Sequence, residues 1–345
     1  MENKIKIGII GAGRMGITHY SIINSHPKVE IIGIVEPSPL IKSFFSKYIP
    51  GISVYKEFEE FFQKTPLDAI LVCTPPHINY QIIKKAYKLG THVFVEKPFS
   101  TNTNNARELD HLFTSGCLIN QVGYVNRFND VFCKVKEFIE NDVIGDIIRF
   151  KSEMFSFTIT KQEEGSGWRM SRENGGGAVY EMASHAIDLV CYFIGKPQKV
   201  IGSTLTQIYS KNVEDAVSST FLYENGISGT IYVNWSDESY RKPTNKVEIF
   251  GSKGKLLADQ HSLKIFLKGK NKKYNLNDGW NTLYITDIFK SVPFYVRGNE
   301  FTRQLYHFVD SIIDKSIPSV CSFKDGLETL EVIDQIFNDY EVNQI

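Results

Sequence analysis

The sequence predicts an α/β chain in two parts: a doubly wound parallel sheet, then a domain built on an antiparallel sheet. Three observations predict this. From Ile5 to Gln121, short apolar runs alternate with helical periods, the mark of a parallel sheet wrapped by helices. Beyond Tyr124 the pattern changes to alternating strands joined by hairpin turns. At 345 residues the chain exceeds what one core comfortably fills, so two domains are expected, residues 1–122 and 123–345.

Strands are expected at Ile5 to Ile10, Glu30 to Val35, Ala69 to Cys73, His92 to Val95 and Leu118 to Gln121, with a helix after most of them. Thr18 to Ser25 continues a helix opened by a glycine turn, and His77 to Leu89 is a helix started after Pro75-Pro76 and stopped by Gly90. In the second part Asn129 to Ile139 has helical spacing, and Asp146 to Phe157 alternates like a half-buried strand. Ala216 to Tyr223 and Ile227 to Trp235 flank the turn pair Asn225-Gly226, while Lys246 to Phe250 and Leu256 to Asp259 flank a second glycine turn. Two helices close the chain, one marked by Phe301, Leu305, Phe308 and Ile312, the other by Leu327, Leu330, Ile333 and Phe337, with Ser322 as its cap. Asn275 to Gly298 has no clear period and reads as a loop able to close over a site.

Lys plus Arg and Asp plus Glu both total 39, and this neutral balance argues against a nucleic-acid binder. The basic run Lys268 to Lys273 reads as a solvated hairpin tip. No stretch approaches the roughly 18 apolar residues of a membrane span. A strand-like run begins within four residues of Met1, which leaves no room for a signal peptide, so a cytoplasmic location is expected. The five cysteines form no CxxC pair and the histidines no HxxxH or HExxH pattern, so no metal is expected and the cysteines read as small core residues.

Gly11-Ala12-Gly13-Arg14-Met15-Gly16 gives GxGxxG directly after the first buried strand. In this pattern Gly11 makes the tight turn, Gly13 lets the backbone approach a pyrophosphate, and Gly16 packs helix on strand. Arg14 and Met15 open the helix, whose N-terminus supplies free N–H groups for an anion. Glu36 ends the second strand, 20 residues past Gly16. It is suited to ribose hydroxyls and repels a 2′-phosphate, which favours NAD over NADP. Thr74, Pro75 and His77, and the pair Glu96-Lys97, stand where later strands end, the ligand edge of an open parallel sheet.

In the second part Gly175-Gly176-Gly177 leads into an apolar segment carrying Glu181, His185 and Asp188 at i, i+4 and i+7. On a continuous helix these share one face. Tyr124, Asn126, Arg127, Trp168 and Arg169 offer donors for a substrate, the two arginines for a carboxylate or phosphate.

Together GAGRMG, CTPPH (Cys73 to His77), EKP (Glu96 to Pro98) and GGGAVYEMASHAID (Gly175 to Asp188) resemble the glucose-fructose oxidoreductase/inositol dehydrogenase/MocA family across essentially the whole chain. The resemblance implies a Rossmann domain followed by an α/β domain with a large, open, mostly antiparallel sheet. It further implies NAD(P)-dependent oxidation or reduction of sugars, cyclitols and their derivatives, in homodimers or homotetramers packed through that sheet. It places Lys97 near nicotinamide and the substrate hydroxyl, with a cis bond to Pro98, and makes His185 the catalytic histidine. Glu181 stands where the family usually has aspartate, and Asp188 matches a helix partner. On that basis His185 is the base, Lys97 polarises the oxygen and Glu181 orients the ring. Two alternatives stay open: a glycosidase of the same fold that uses NAD in a closed redox cycle, and a non-catalytic cofactor-binding regulator.

Overall fold

The computed structural model describes residues 4–49, 51–162 and 167–343. They divide into two compact units, one made of the residues up to Val125 with Ser291–Leu327, the other of Asn126–Lys290 with the residues from Glu328 onward.

The first unit opens with β1 (Ile5–Ile10), α1 (Arg14–Ile23), β2 (Val29–Val35), α2 (Pro39–Tyr48), β3 (Val54–Tyr55), α3 (Phe58–Lys64), β4 (Ala69–Val72), α4 (Pro76–Lys88), β5 (His92–Val95), α5 (Thr103–Ser115) and β6 (Asn120–Val122). All six strands are parallel, in the order β3-β2-β1-β4-β5-β6. Every residue of β4 is buried, as expected of a parallel strand covered on both faces, and its apolar run is unbroken for that reason. Pro76 stands in the first turn of α4, where its fixed φ suits a helix start, and Lys85 and Lys88 stand in the last turn, where cations oppose the helix dipole. The strand order reverses at β1, which makes the C-terminal ends of β1 and β4 the ligand crevice of this sheet.

The second unit contains α6 (Asp130–Glu140), β7 (Ile147–Phe155), α7 (Ser184–Ile194), β8 (Lys199–Thr206), β9 (Ala216–Leu222), β10 (Ser228–Asn234), β11 (Thr244–Gly251), β12 (Gly254–Asp259), β13 (Ser262–Leu267), β14 (Gly279–Tyr284) and the short α8 (Ile285–Ile288). Its eight strands run β14-β13-β12-β11-β7-β10-β9-β8, antiparallel except for the β7–β10 pair. The Asn225-Gly226 turn joins β9 to β10, with Gly226 at φ +83° and the Tyr223 N–H donating to the Ile227 carbonyl at 3.1 Å. Alternate residues of β10 and β11 are buried, among them Ile231, Val233, Val247 and Ile249, and α6 and α7 pack on that sheet.

Two expectations are corrected here. The segment from Asn275 to Gly298 is not a bare loop: it holds the edge strand β14 and α8. With half-buried residues alternating with exposed ones, Trp280 and Tyr284 among the exposed, β14 has no buried apolar face to betray a strand. Next come α9 (Asn299–Ile313) and α10 (Phe323–Asn343). The division at residue 122 had put α9 in the second domain, yet its Leu305, Phe308 and Val309 belong to the buried cluster of Ile7, Ile9, Leu71 and Phe94 in the first unit. The Phe308 and Phe94 rings stand 6.0 Å apart. A helical period tells which face is apolar and not which sheet it covers.

At the start of α10 both the N–H and Oγ of Ser322 donate to Asp325 Oδ2 at 2.7 Å, so the carboxylate completes the cap. Cys191 and Cys321 are buried, whereas Cys117 is exposed at a positive φ and is no core residue. No helix among the described residues is long and apolar enough to cross a membrane.

Candidate active site

In the first unit the glycine turn has the geometry its spacing implies. Gly11 sits at φ +91°, and a Cβ on Gly16 would lie 1.9 Å from the Gly11 carbonyl oxygen, so neither position accepts a side chain. Beside Gly13 there is nothing within 4 Å of where a Cβ would stand. That open face lies at the start of α1, whose first-turn N–H groups have no partner within the helix, and it fits a pyrophosphate. Glu36 is buried at the end of β2; the Ala12 N–H donates to its Oε2 at 2.8 Å and the Ser38 N–H to its Oε1 at 2.9 Å. Each carboxylate oxygen keeps a second lone pair for a ribose hydroxyl.

At the ends of β4 and β5 the backbone is braced by side chains that local sequence patterns do not reveal. Thr74 Oγ1 donates to Asn79 Oδ1 at 2.7 Å, and Asn79 Nδ2 donates to the Pro98 carbonyl at 3.4 Å. Lys97-Pro98 is a cis peptide, and Lys97 is half-buried. His19, fully buried on α1, lies with Nε2 2.6 Å from Glu96 Oε1. Glu96 packs on Gly123, where a Cβ would come within 3.1 Å of Oε2. Glu96, expected to face the cofactor, thus has one oxygen bound to His19. His77 is exposed in the first turn of α4, while Pro75 is half-buried.

In the second unit the triple glycine is shaped by a residue the sequence reading missed. A Cβ on Gly177, at φ +94°, would strike Glu214 Oε1 at 2.3 Å. Glu214 is 2% exposed and accepts the Val179 N–H at 2.9 Å, with Arg172 Nη2 at 3.4 Å. Burial pushes its carboxyl pKa up, against the hydrogen bonds and the arginine.

The helix that follows is not continuous, which corrects the single-face expectation. Val179–Ala183 forms a π-helical turn before α7 begins at Ser184. The wider turn shifts the phase between Glu181 and the residues after it. Glu181 and His185 are half-buried, and Arg169 Nη2 lies 3.4 Å from Glu181 Oε1 while its guanidinium stacks 4.8 Å above Trp168. Asp188 instead is fully buried against Arg127, whose Nη2 and Nε approach it at 2.9 and 3.0 Å. Arg127, expected to meet a substrate, is held in that pair and stacks 4.9 Å from the Tyr192 ring. Tyr124 and Asn126 are buried as well. Two surface depressions, one lined by Ser239 to Lys242 and one by β8 and α10, contain none of these residues.

Two family models match the chain: the oxidoreductase family NAD-binding Rossmann fold over residues 5–124 and the GFO/IDH/MocA C-terminal domain over residues 132–257. An uncharacterized oxidoreductase of Schizosaccharomyces pombe is 29% identical over 61% of this chain, and the match spans 58% of that protein's length. A myo-inositol 2-dehydrogenase of Thermotoga maritima is 24% identical over 95% of this chain and 89% of its own. Among solved structures, a levoglucosan dehydrogenase in complex with NADH superposes with a TM-score of 0.87 at 18% identity, over 99% of this chain and 98% of that one. The solved structure agrees with the two-sheet architecture, and the family model over residues 5–124 is that of an NAD-binding domain.

Proposed function

The chain belongs to the GFO/IDH/MocA oxidoreductase family, and from that membership we propose that it is an NAD-dependent dehydrogenase or ketoreductase of a secondary hydroxyl or ketone on a sugar, cyclitol or sugar derivative. One observation carries the reading: a glycine turn left open at Gly13, with Glu36 anchored at the end of β2 and Lys97 at the end of β5, all on the ligand edge of one parallel sheet. The inositol dehydrogenase relative, aligned over nearly the whole chain, supports a polyol or sugar substrate.

When bound, the nicotinamide carries the hydride. Lys97 donates from its ammonium to the reacting oxygen and stabilises negative charge there as the hydroxyl proton leaves. His185 takes that proton, since an imidazole titrates near working pH. Glu181, itself steadied by Arg169, holds the His185 ring. In reduction the same groups return the proton. Trp168 and Arg169 offer a stacking face and a guanidinium for an acidic or nucleotide-linked sugar.

Self-association through the open sheet of the second unit is part of this reading. Tyr232, Phe250 and Trp280 are exposed there, on β10, β11 and β14. Light scattering of the purified chain tests it, and a monomer at micromolar concentration would refute it.

A panel of cyclitols, sugar acids and nucleotide sugars with NAD tests the activity. One of them should yield NADH, and Lys97→Ala or His185→Ala should cut the turnover by ~10² or more. Cofactor binding without turnover, with both variants unaltered, would point to a regulator. Release of a glycoside's leaving group without NADH would point to the glycosidase.

A further inference from the structure

We propose that Arg297, far from the glycine turn in sequence, is a cofactor residue whose guanidinium grips the pyrophosphate of the bound dinucleotide. The site is the family's NAD site; the inference adds this residue to it, and rests on NAD binding alone, whatever the sugar.

Arg297 lies just before α9 in the part of the chain that belongs to the first unit. Its Nη1 is 3.3 Å from the Sδ of Met15, between Arg14 and Gly16 of the glycine turn. The guanidinium stacks 5.1 Å from the Phe301 ring on the first turn of α9. Among the described residues, the Met15 thioether is its only hydrogen-bond acceptor, and no carboxylate lies within ion-pair distance. A guanidinium has five N–H donors, and a thioether is a weak acceptor, so most of its hydrogen-bonding capacity is unused.

The electrostatic surroundings agree. The Arg297 pKa is lowered first by burial, then by repulsion from Arg14, with Glu96 opposing. The N-terminus of α1 adds its own positive potential at the same turn. Three sources of positive charge therefore converge where the backbone is bare at Gly13, an arrangement that becomes favourable when a doubly charged group occupies it. Phe301 holds the guanidinium in advance, which limits the entropy lost on binding.

The sheet order says which phosphate is meant. Glu36 ends β2, on one side of β1, while Glu96 ends β5, two strands away on the other side. The charged neighbours of Arg297 are Arg14 and Glu96 and not Glu36. It therefore addresses the middle of the dinucleotide rather than a 2′-phosphate at the adenosine ribose.

NADH fluorescence titration on the full chain, with competition by ADP-ribose and by adenosine, tests this without any sugar, so the outcome is separate from the fate of the dehydrogenase reading. Arg297→Ala should weaken NADH and ADP-ribose by about tenfold or more and leave adenosine within about twofold. Arg297→Lys should recover part of the loss, and the salt dependence of NADH binding should flatten in Arg297→Ala. Arg297→Gln, close in shape and neutral, should match Arg297→Ala if charge is what matters, with thermal melts confirming that each variant folds. An equal loss for adenosine, an unchanged affinity for ADP-ribose, or a loss confined to NADPH would each overturn the assignment.

Discussion

Ala12 N–H donates to Glu36 Oε2 at 2.8 Å, so the acidic residue at the end of β2 fixes the backbone of the glycine turn. The carboxylate proposed to meet the ribose thus also holds the backbone of the glycine turn. Removing it has two effects. Glu36→Ala should weaken NADH by about tenfold, because a charge-assisted hydrogen bond and the turn's anchor are lost together. It should also narrow the preference for NADH over NADPH, since the charge that repels a 2′-phosphate is gone. Titration with both cofactors decides it, and an unchanged ratio removes Glu36 from the ribose site.

Arg127 and Asp188 form an ion pair with side chains 3% and 1% exposed. Cutting one partner leaves the other charged and dry. Arg127→Met should therefore cost about 3–5 kcal/mol in urea unfolding. Arg127→Met with Asp188→Leu should recover most of that, because two apolar side chains replace two desolvated charges. A double variant no more stable than the single one would show that other contacts of Arg127, such as the Tyr192 stack, dominate.

The features legible in the sequence are those carried by local backbone. The glycine turn and the Glu36 spacing sit within one β-α-β unit, so their order along the chain specifies their geometry. Asn225-Gly226 announced its hairpin for the same reason. What the sequence hid are contacts between distant segments: His19 with Glu96, Glu214 beneath Gly177, Arg297 against Met15. No periodicity encodes these. The π turn at Val179–Ala183 was hidden differently, because a residue inserted into a helical turn leaves the apolar pattern readable as a continuous helix. That is why Glu181, His185 and Asp188 read as one face although Asp188 is buried on Arg127.

His19 and Glu96 join α1 to the end of β5 at 2.6 Å, directly before Lys97. His19 also meets Phe94 edge-on, with ring centroids 5.2 Å apart. His19→Phe fills the space and removes the donor, leaving the carboxylate without that partner at a cost of about 1–3 kcal/mol. The loss should appear in the melting temperature, and His19→Gln, which keeps a donor, should lose less. If the pair also steadies Lys97, kcat on an identified substrate should fall more in His19→Phe than in His19→Gln, with KM little altered. Equal kcat in the two would confine the pair to stability.

The first unit should lose stability as the pH drops below about 6.5. His26 and His92 both have pKa values lowered, in each case chiefly by burial, with Lys28 and Lys315 adding to it and Asp310 and Asp68 opposing. Their hydrogen bonds point the same way, because Nδ1 of His92 accepts the Ile119 N–H at 2.9 Å and Nδ1 of His26 accepts the Lys28 N–H at 3.2 Å. Protonation at Nδ1 abolishes that acceptor. With folded pKa values below the unfolded one, the unfolded chain binds more protons in this window, so stability is fully present above the unfolded pKa and declines as pH falls toward the folded values. Melting temperatures between pH 7.5 and 5.5 should therefore fall. His92→Asn combined with His26→Asn, which keeps a short acceptor at each place without a titrating group, should flatten the curve. A slope unaltered in that double variant would move the pH sensitivity elsewhere in the chain.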